Sequence, residues 1–121
     1  MKIFEVEDYI NAENPEPGQI FRPEILTDTD GAKDLGGILG LLPAGKQIPY
    51  HYHKTRESIL IAICGEAVEI VEGKDYPFKA GSVFHIAAGE KHMTVNRSDQ
   101  EFRYLEFYTC PPLDADFVEV R

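Results

Sequence analysis

Four histidines occur in the 121 residues, and two of them stand one residue apart in His51-Tyr52-His53. The surrounding segment, residues 48–53, has strand character, and successive side chains of a β-strand point to opposite faces. His51 and His53 are therefore predicted to project from one face, about two residue rises apart. Two imidazoles at that separation can bind one cation together, so metal binding is the first chemistry that this sequence suggests.

Two further side chains can complete such a site. Glu57 follows His53 after three intervening residues, and His92 follows the tight turn Ala87-Ala88-Gly89. If neighbouring strands bring His92 over the same interior face, three imidazole nitrogens and one carboxylate oxygen converge. Imidazole suits zinc, copper, iron and nickel, and an added carboxylate suits iron, manganese or nickel. The predicted cofactor is one divalent transition metal ion, with Fe, Mn, Ni and Zn left undistinguished.

Short apolar or alternating segments with glycine or proline between them make up most of the chain. They are residues 20–26, 37–42, 48–53, 58–64, 66–71, 75–78, 82–86, 91–96 and 102–108. Many short strands with turns between them predict an all-β antiparallel sandwich or barrel. The acidic, proline-bounded residues 1–18, with one short helical turn at 7–12, are predicted to form an N-terminal arm that covers a sheet edge. Residues 19–121 are predicted to form a single barrel domain.

Composition excludes several classes of function. The chain has 12 basic and 21 acidic residues, a formal charge of −9, which disfavours nucleic acid and anionic membranes as partners. No apolar run approaches the roughly 20 residues that a bilayer span needs. The first residues turn acidic at once and lack a signal peptide's apolar stretch, so we predict a cytoplasmic protein. Its two cysteines, Cys64 and Cys110, are isolated and indicate neither a zinc knuckle nor a redox pair.

Glycines around the histidines extend the pattern. The first part is Gly45-x5-His51-x-His53-x3-Glu57 with a later Gly65, and the second is Gly81-x7-Gly89-x2-His92-x3-Asn96. Together they closely resemble the two motifs of the cupin family, over roughly residues 37–110. The resemblance implies a small single-domain cupin: a double-stranded β-helix (jelly-roll) barrel with a metal ion in its interior, and commonly a homodimer. It implies the ligand set His51, His53, Glu57 and His92.

Two positions depart from the family pattern. Ala87 stands where the family motif has proline, a change that the turn tolerates because Gly89 is kept. Seven residues separate Glu57 from Gly65 where the family has six, so Ser58 is in register with the motif glutamate. Either a bulge turns Glu57 inward, or Ser58 takes its place and the ligand set shrinks to the three histidines.

Supporting and catalytic residues are predicted from strand parity. Ser58 and Asn96 are expected beside the ligands, with Asn96 bonding a turn and so fixing the strand that carries His92. On the final strand Glu106 and Tyr108 share a face. If that face lines the interior, either residue can serve as proton donor or base, and solvent exposure is the alternative.

Three further side chains are not motif residues: Arg22, Arg56 and His85. Arg22 and Arg56 are the basic residues that could bind an anionic substrate. His85 is interpreted as a partly buried or interface histidine and not as part of the site.

Two functions from different classes follow. The first is a metal-dependent enzyme acting on a small polar or carboxylated metabolite, with dioxygenase, isomerase, lyase and cyclase chemistry all open. The alternative is a binding or sensing module that captures a small molecule without turning it over. A small-molecule ligand is the expected partner in both.

Overall fold

The structure is a computed structural model that describes residues 1–121. One short helix and ten strands follow one another along the chain. They are α1 Val6–Ile10, β1 Glu24–Leu26, β2 Leu35–Leu42, β3 His51–Tyr52, β4 Ser58–Cys64, β5 Glu66–Val71, β6 Lys74–Lys79, β7 Val83–Ile86, β8 His92–Val95, β9 Phe102–Thr109 and β10 Val118–Glu119. A 3₁₀ turn at Asp28–Asp30 follows β1. No helix has both the length and the apolar character that a membrane span needs.

The strands form two five-stranded antiparallel sheets, in the orders β1-β2-β9-β4-β7 and β10-β3-β8-β5-β6. Their inner faces pack on each other, because the main hydrophobic cluster takes residues from both. From the first sheet come side chains such as Ile38, Leu60 and Phe102, and from the second Ala67 and Phe78. This two-sheet architecture confirms the prediction of a double-stranded β-helix.

Strand β9 decides which polar residues reach the interior. Tyr104, Glu106 and Tyr108 alternate inward and are almost completely buried, as the two-residue period of a strand requires. The inner face of β2 makes room for the tyrosine rings by carrying glycine. A Cβ atom at Gly36 would lie 2.6 Å from the Tyr108 ring, and one at Gly40 would overlap the ring of Tyr104. The absence of a side chain at Gly36 and at Gly40 therefore fixes where these two rings lie.

The outer face of the first sheet is covered by the N-terminal arm. Arg103 on β9 donates hydrogen bonds to the carbonyl oxygens of Tyr9, Ile10 and Ala12, at 3.0, 3.1 and 2.6 Å. Phe107, on the same strand face, meets the Phe4 ring edge-on at 5.1 Å. The arm thus packs on a sheet face, where the sequence analysis expected a sheet edge.

Beyond β9 the chain turns back over the barrel, a course that the sequence analysis did not anticipate. We call residues 110–120 the C-terminal strap. Its strand β10 pairs with β3, with Val118 opposite Tyr52 and Glu119 opposite His51. The backbone N–H of Val120 also donates to the carbonyl of Tyr50 at 2.9 Å. The strap therefore lies directly beside the strand that carries the first histidine.

Candidate metal centre

The structure brings three of the four histidines together. His51 lies on β3, directly opposite His92 on β8, and His53 follows β3 on the same face as His51. All three are buried, and their potential ligand nitrogens lie within 4.8 Å of one another. We call His51, His53 and His92 the histidine triad. Strand parity places His51 and His53 on one face, and the pairing of β3 with β8 brings His92 beside them.

Each triad imidazole is fixed by a hydrogen bond on its Nδ1 atom. The acceptors are the carbonyl oxygens of Pro49, Asp116 and Glu90, at 2.6, 2.6 and 2.9 Å from His51, His53 and His92 respectively. A carbonyl oxygen can only accept, so each Nδ1 atom carries the proton and donates it. Each Nε2 atom therefore keeps its lone pair, the form in which imidazole binds metal.

Burial holds the triad in this neutral form. It lowers the pKa of His51 to about 3, and the nearby His92 adds to the shift. Burial likewise lowers the pKa values of His53 and His92, against the raising effect of their backbone hydrogen bonds. At neutral pH the triad presents three uncharged nitrogen donors.

Glu57 does not join the triad, and the prediction of a fourth ligand there is corrected. Its side chain is 59% exposed on the outside of the first sheet, where a carboxylate oxygen lies 2.7 Å from His85 Nε2. Ser58 takes the inward position and pairs with Tyr108 of β9. A bulge does occur in β4, between Ala62 and Cys64, and it leaves Glu57 facing outward.

The triad opens into a cavity of about 520 Å³ between the two sheets. The apolar part of its lining includes Ile48 and Leu60 from the barrel and Leu113 and Phe117 from the strap. The Phe117 ring stacks on the His51 imidazole at 4.6 Å between centroids. Apart from the triad, the polar lining of the cavity comes from Arg22, Glu24, Arg56, Thr94, Tyr104, Glu106 and Asp114.

Glu106 is the predicted catalytic candidate that reaches this cavity. Burial raises the pKa of its carboxyl group, although the positive charge of Arg22 acts in the opposite direction. Tyr108 lies elsewhere: its ring is under the Arg56 guanidinium, 4.4 Å from centroid to Cζ, and does not line the cavity. Of the two candidates on β9, only Glu106 lines the cavity into which the triad opens.

The two arginines differ in what they can bind. Arg56 is 1% exposed and donates to four backbone carbonyls, those of Thr109, Cys110, Pro112 and Leu113, at 2.6 to 3.0 Å. Its donors are committed to holding the start of the strap. Arg22 forms no salt bridge and lines the cavity together with Tyr104 and Glu106. Arg22 is therefore the cation available to a ligand.

Asn96 and Ser58, the expected supporting residues, occupy different surroundings. Asn96 is buried and donates to the carbonyls of Leu42 and Gln100, at 3.0 and 2.7 Å, which holds the turn after β8. Ser58 is 1% exposed, and its hydroxyl has no hydrogen-bond partner. Of the two, only Asn96 holds a turn next to the strand that carries His92.

Glu69 is a buried acid that the sequence analysis missed. It lies on β5, fully buried, and accepts a 2.6 Å hydrogen bond from Thr94 Oγ1, while its other oxygen has no partner. Burial raises its pKa to about 8, with Glu106 adding to the shift. In β5 the side chains of Val68 and Ile70 point outward and that of Glu69 points inward, which reverses the usual hydrophobic pattern. The sequence therefore carried no signal for a buried acid at this position.

Comparison with known proteins agrees with this geometry. The sequence profile described as "Cupin domain" matches residues 38–108, more than half of the chain. The chain belongs to the cupin family. The family membership suggested by the two motifs is thereby confirmed.

Relatives of this cupin share its fold at modest identity. An oxalate-binding protein of Thermotoga maritima is 34% identical over 64 residues, 53% of this chain, which spans about half of that protein's length. A double-stranded β-helix protein from Klebsiella pneumoniae, 23% identical, covers 100% of this chain and 98% of its own, with a TM-score of 0.77. A predicted oxalate decarboxylase from Thermotoga maritima, 25% identical, covers 78% and 83%, with a TM-score of 0.71.

Replacement of Glu69 by Gln tests the buried acid. Because the folded-state pKa, about 8, lies above the usual 4.5, folding retains a proton that the unfolded chain releases. The free energy of unfolding should therefore fall as pH rises across that window. Glu69→Gln removes this loss. The melting temperature of the variant minus that of the unmodified protein should therefore be larger at about pH 8.5 than at about pH 5.

Thermal unfolding at the two pH values provides the measurement. Glu66→Gln, an exposed change on the same strand, is the matched control and should show no such pH-dependent difference. An equal temperature difference at both pH values would show that the charge on Glu69 does not limit stability.

Proposed function

We propose that this cupin is a metal-dependent enzyme that acts on a small carboxylated metabolite. The observation that carries the proposal is the histidine triad, whose three Nε2 lone pairs converge at the wall of a cavity. Among the other polar groups that line the cavity are the Arg22 guanidinium and the Glu106 carboxyl group. These are the groups needed to hold an anion and to move a proton.

The donor set suits a divalent transition metal ion. Three neutral imidazoles with their Nδ1 atoms bonded to carbonyls match the usual arrangement around zinc, copper, iron or nickel. Three protein ligands leave further coordination positions free for water or a ligand. A metal ion held there would act as a Lewis acid on a bound oxygen atom.

Arg22 is suited to bind the carboxylate of the metabolite. A guanidinium group binds carboxylates with two parallel hydrogen bonds, and Arg22 is not occupied by a salt bridge. Its positive charge also lowers the pKa of Glu106, so the two side chains lie within electrostatic reach of each other. A carboxylate held by Arg22 is therefore placed near Glu106.

Glu106 is suited to transfer a proton. Burial raises the pKa of the Glu106 carboxyl group, which favours the protonated form that can donate a proton to a bound ligand. The apolar lining residues Ile48, Leu60 and Phe117 limit access of water to the same space. These residues support proton transfer in a sheltered cavity.

The names of two relatives agree with a carboxylated ligand. One is called an oxalate-binding protein and the other a predicted oxalate decarboxylase. Both names refer to a small dicarboxylate, a compound with the charge that Arg22 would attract. They support the ligand class proposed here and leave the reaction type open.

A second candidate function is ligand binding without turnover. It is favoured by the position of Glu57 outside the triad, since the ligand set then lacks the carboxylate of the family motif. Incubation of the metal-loaded protein with small dicarboxylates separates the two functions. Consumption of the compound or of dioxygen indicates an enzyme, whereas a raised melting temperature with the compound recovered unchanged indicates a binding module.

Removal of a triad histidine is expected to remove the metal. His51→Ala or His92→Ala should reduce the metal content of purified protein from about one ion per chain to near zero, because two imidazoles hold an ion weakly. Elemental analysis after dialysis provides the measurement. His85→Ala and Glu57→Gln, which alter the exposed pair outside the triad, are matched controls and should keep the metal. Full metal content in the His51→Ala protein would contradict the assignment.

Arg22→Gln is expected to weaken carboxylate binding and leave metal binding unchanged. Loss of one charged hydrogen-bonding partner corresponds to a roughly tenfold to hundredfold higher Kd. Calorimetric titration of the metal-loaded protein with oxalate and malonate would measure it. Arg97→Gln removes an exposed arginine that pairs with Asp75 and should leave the Kd unchanged. An Arg22→Gln protein with unchanged affinity would show that the carboxylate binds elsewhere.

A further inference from the structure

The triad histidines differ in where their Nδ1 partners come from. For His51 and His92 the accepting carbonyl lies two residues earlier in the chain, at Pro49 and Glu90. Each of these bonds forms within its own short segment. For His53 the acceptor is the carbonyl of Asp116, 63 residues away on the C-terminal strap. Only His53 therefore depends on a distant part of the chain for its orientation.

Asp116 is itself bonded to the residues that follow His53. Its carboxylate accepts the backbone N–H groups of Lys54, Thr55 and Arg56, at 2.7, 2.7 and 2.9 Å, and the Thr55 hydroxyl at 2.9 Å. The residue has a φ of 53°, a left-handed conformation that aspartate tolerates better than most residues. Its side chain and its carbonyl oxygen thus bind two adjoining parts of one segment.

We propose that Asp116 is a positioning residue for the metal centre. The Asp116 carboxylate binds residues 54–56 and so holds the strap in place. The Asp116 carbonyl oxygen then accepts the hydrogen bond from His53 Nδ1, which directs His53 Nε2 into the cavity. The role in metal binding rests on the proposed function, whereas the role in orienting His53 does not.

The other anchors of the strap hold different residues. Arg56 binds the carbonyls of Cys110, Pro112 and Leu113 at its start, and β10 pairs with β3 near its end. Between these anchors Asp116 provides the side-chain contacts that reach the segment after His53. Loss of its carboxylate therefore releases the middle of the strap while both ends stay attached.

Docking of the strap and binding of the metal are then linked. A metal ion that needs Nε2 of His53 free binds best when the strap holds the proton on Nδ1. By thermodynamic linkage, bound metal must stabilise the docked strap by the same factor. The strap also carries Phe117, which stacks on His51, so its docking completes the cavity wall at the same time.

Two substitutions at one position test the proposal. Asp116→Gly keeps the left-handed backbone accessible and removes the carboxylate, and Asp116→Asn keeps the side-chain shape with one accepting oxygen. Asp30→Asn is the matched control, since Asp30 also accepts a backbone N–H, that of Thr27, but lies outside the strap and the triad. Long-range ¹H–¹⁵N spectra of the imidazoles in metal-free protein report the tautomer of each histidine separately.

In Asp116→Gly we expect His53 to lose its Nδ1–H tautomer while His51 and His92 keep theirs. Zinc affinity, measured by competition with a chromophoric chelator, should fall by about tenfold to a hundredfold. Asp116→Asn should give an intermediate result in both measurements, and Asp30→Asn should match the unmodified protein. An effect that spares His51 and His92 distinguishes positioning from a general loss of structure.

The proposal is overturned if His53 keeps its tautomer in both variants, or if all three histidines change together. If Asp116→Gly does not fold, Asp116→Asn decides by the same criterion. If the unmodified protein binds no zinc and the His53 tautomer still responds to the Asp116 variants, the metal-dependent function fails and the positioning role stands. If zinc binds and the His53 tautomer does not respond, the positioning role fails and the metal-dependent function stands.

Discussion

The site depends on one requirement: three imidazoles must leave water without losing a hydrogen bond. A buried imidazole with an unsatisfied N–H costs free energy, and a charged one costs more. In this cupin backbone carbonyls accept all three Nδ1 protons. The nitrogens that remain are unprotonated, unpaired and directed to one place. The same hydrogen bonds therefore satisfy the Nδ1 groups and assemble a metal-binding set. The strands, the turn before β8 and the strap all contribute to them.

Much of the fold and the triad could be predicted because both depend on local periodicity. Every strand from β1 to β9 falls within or beside a segment that alternation and turns had indicated. His51 and His53 share a face because side chains repeat every two residues, and His92 joins them because β8 pairs with β3. The inward placement of Glu106 follows from the same rule, once packing decides which face of β9 is inside. The family motifs add the expectation that these strands close into a barrel.

The parts that could not be predicted depend on contacts between distant residues. Strand β4 is apolar at both parities, since the arm covers its outer face as the core covers its inner face, so alternation could not decide between Glu57 and Ser58. Glu69 points inward and accepts a hydrogen bond from Thr94 on the neighbouring strand, and no pattern within β5 indicates that partner. The strap lies beyond the last predicted strand, and its place is fixed by Arg56 and Asp116 acting across more than 50 residues.

Charge in the cavity differs from charge on the whole chain, and the difference bears on ligand choice. A formal charge of −9 opposes polyanions, whose many phosphates must each be neutralised at the surface. A small carboxylate meets a different field, because surface charges are screened over about 8 Å at physiological ionic strength. Inside, burial keeps the three histidines uncharged and raises the pKa values of Glu69 and Glu106, which reduces their negative charge. The guanidinium of Arg22 is then opposed by less negative charge than the composition suggests. The same burial that keeps the histidines neutral therefore reduces the negative charge that would oppose an anion in the cavity.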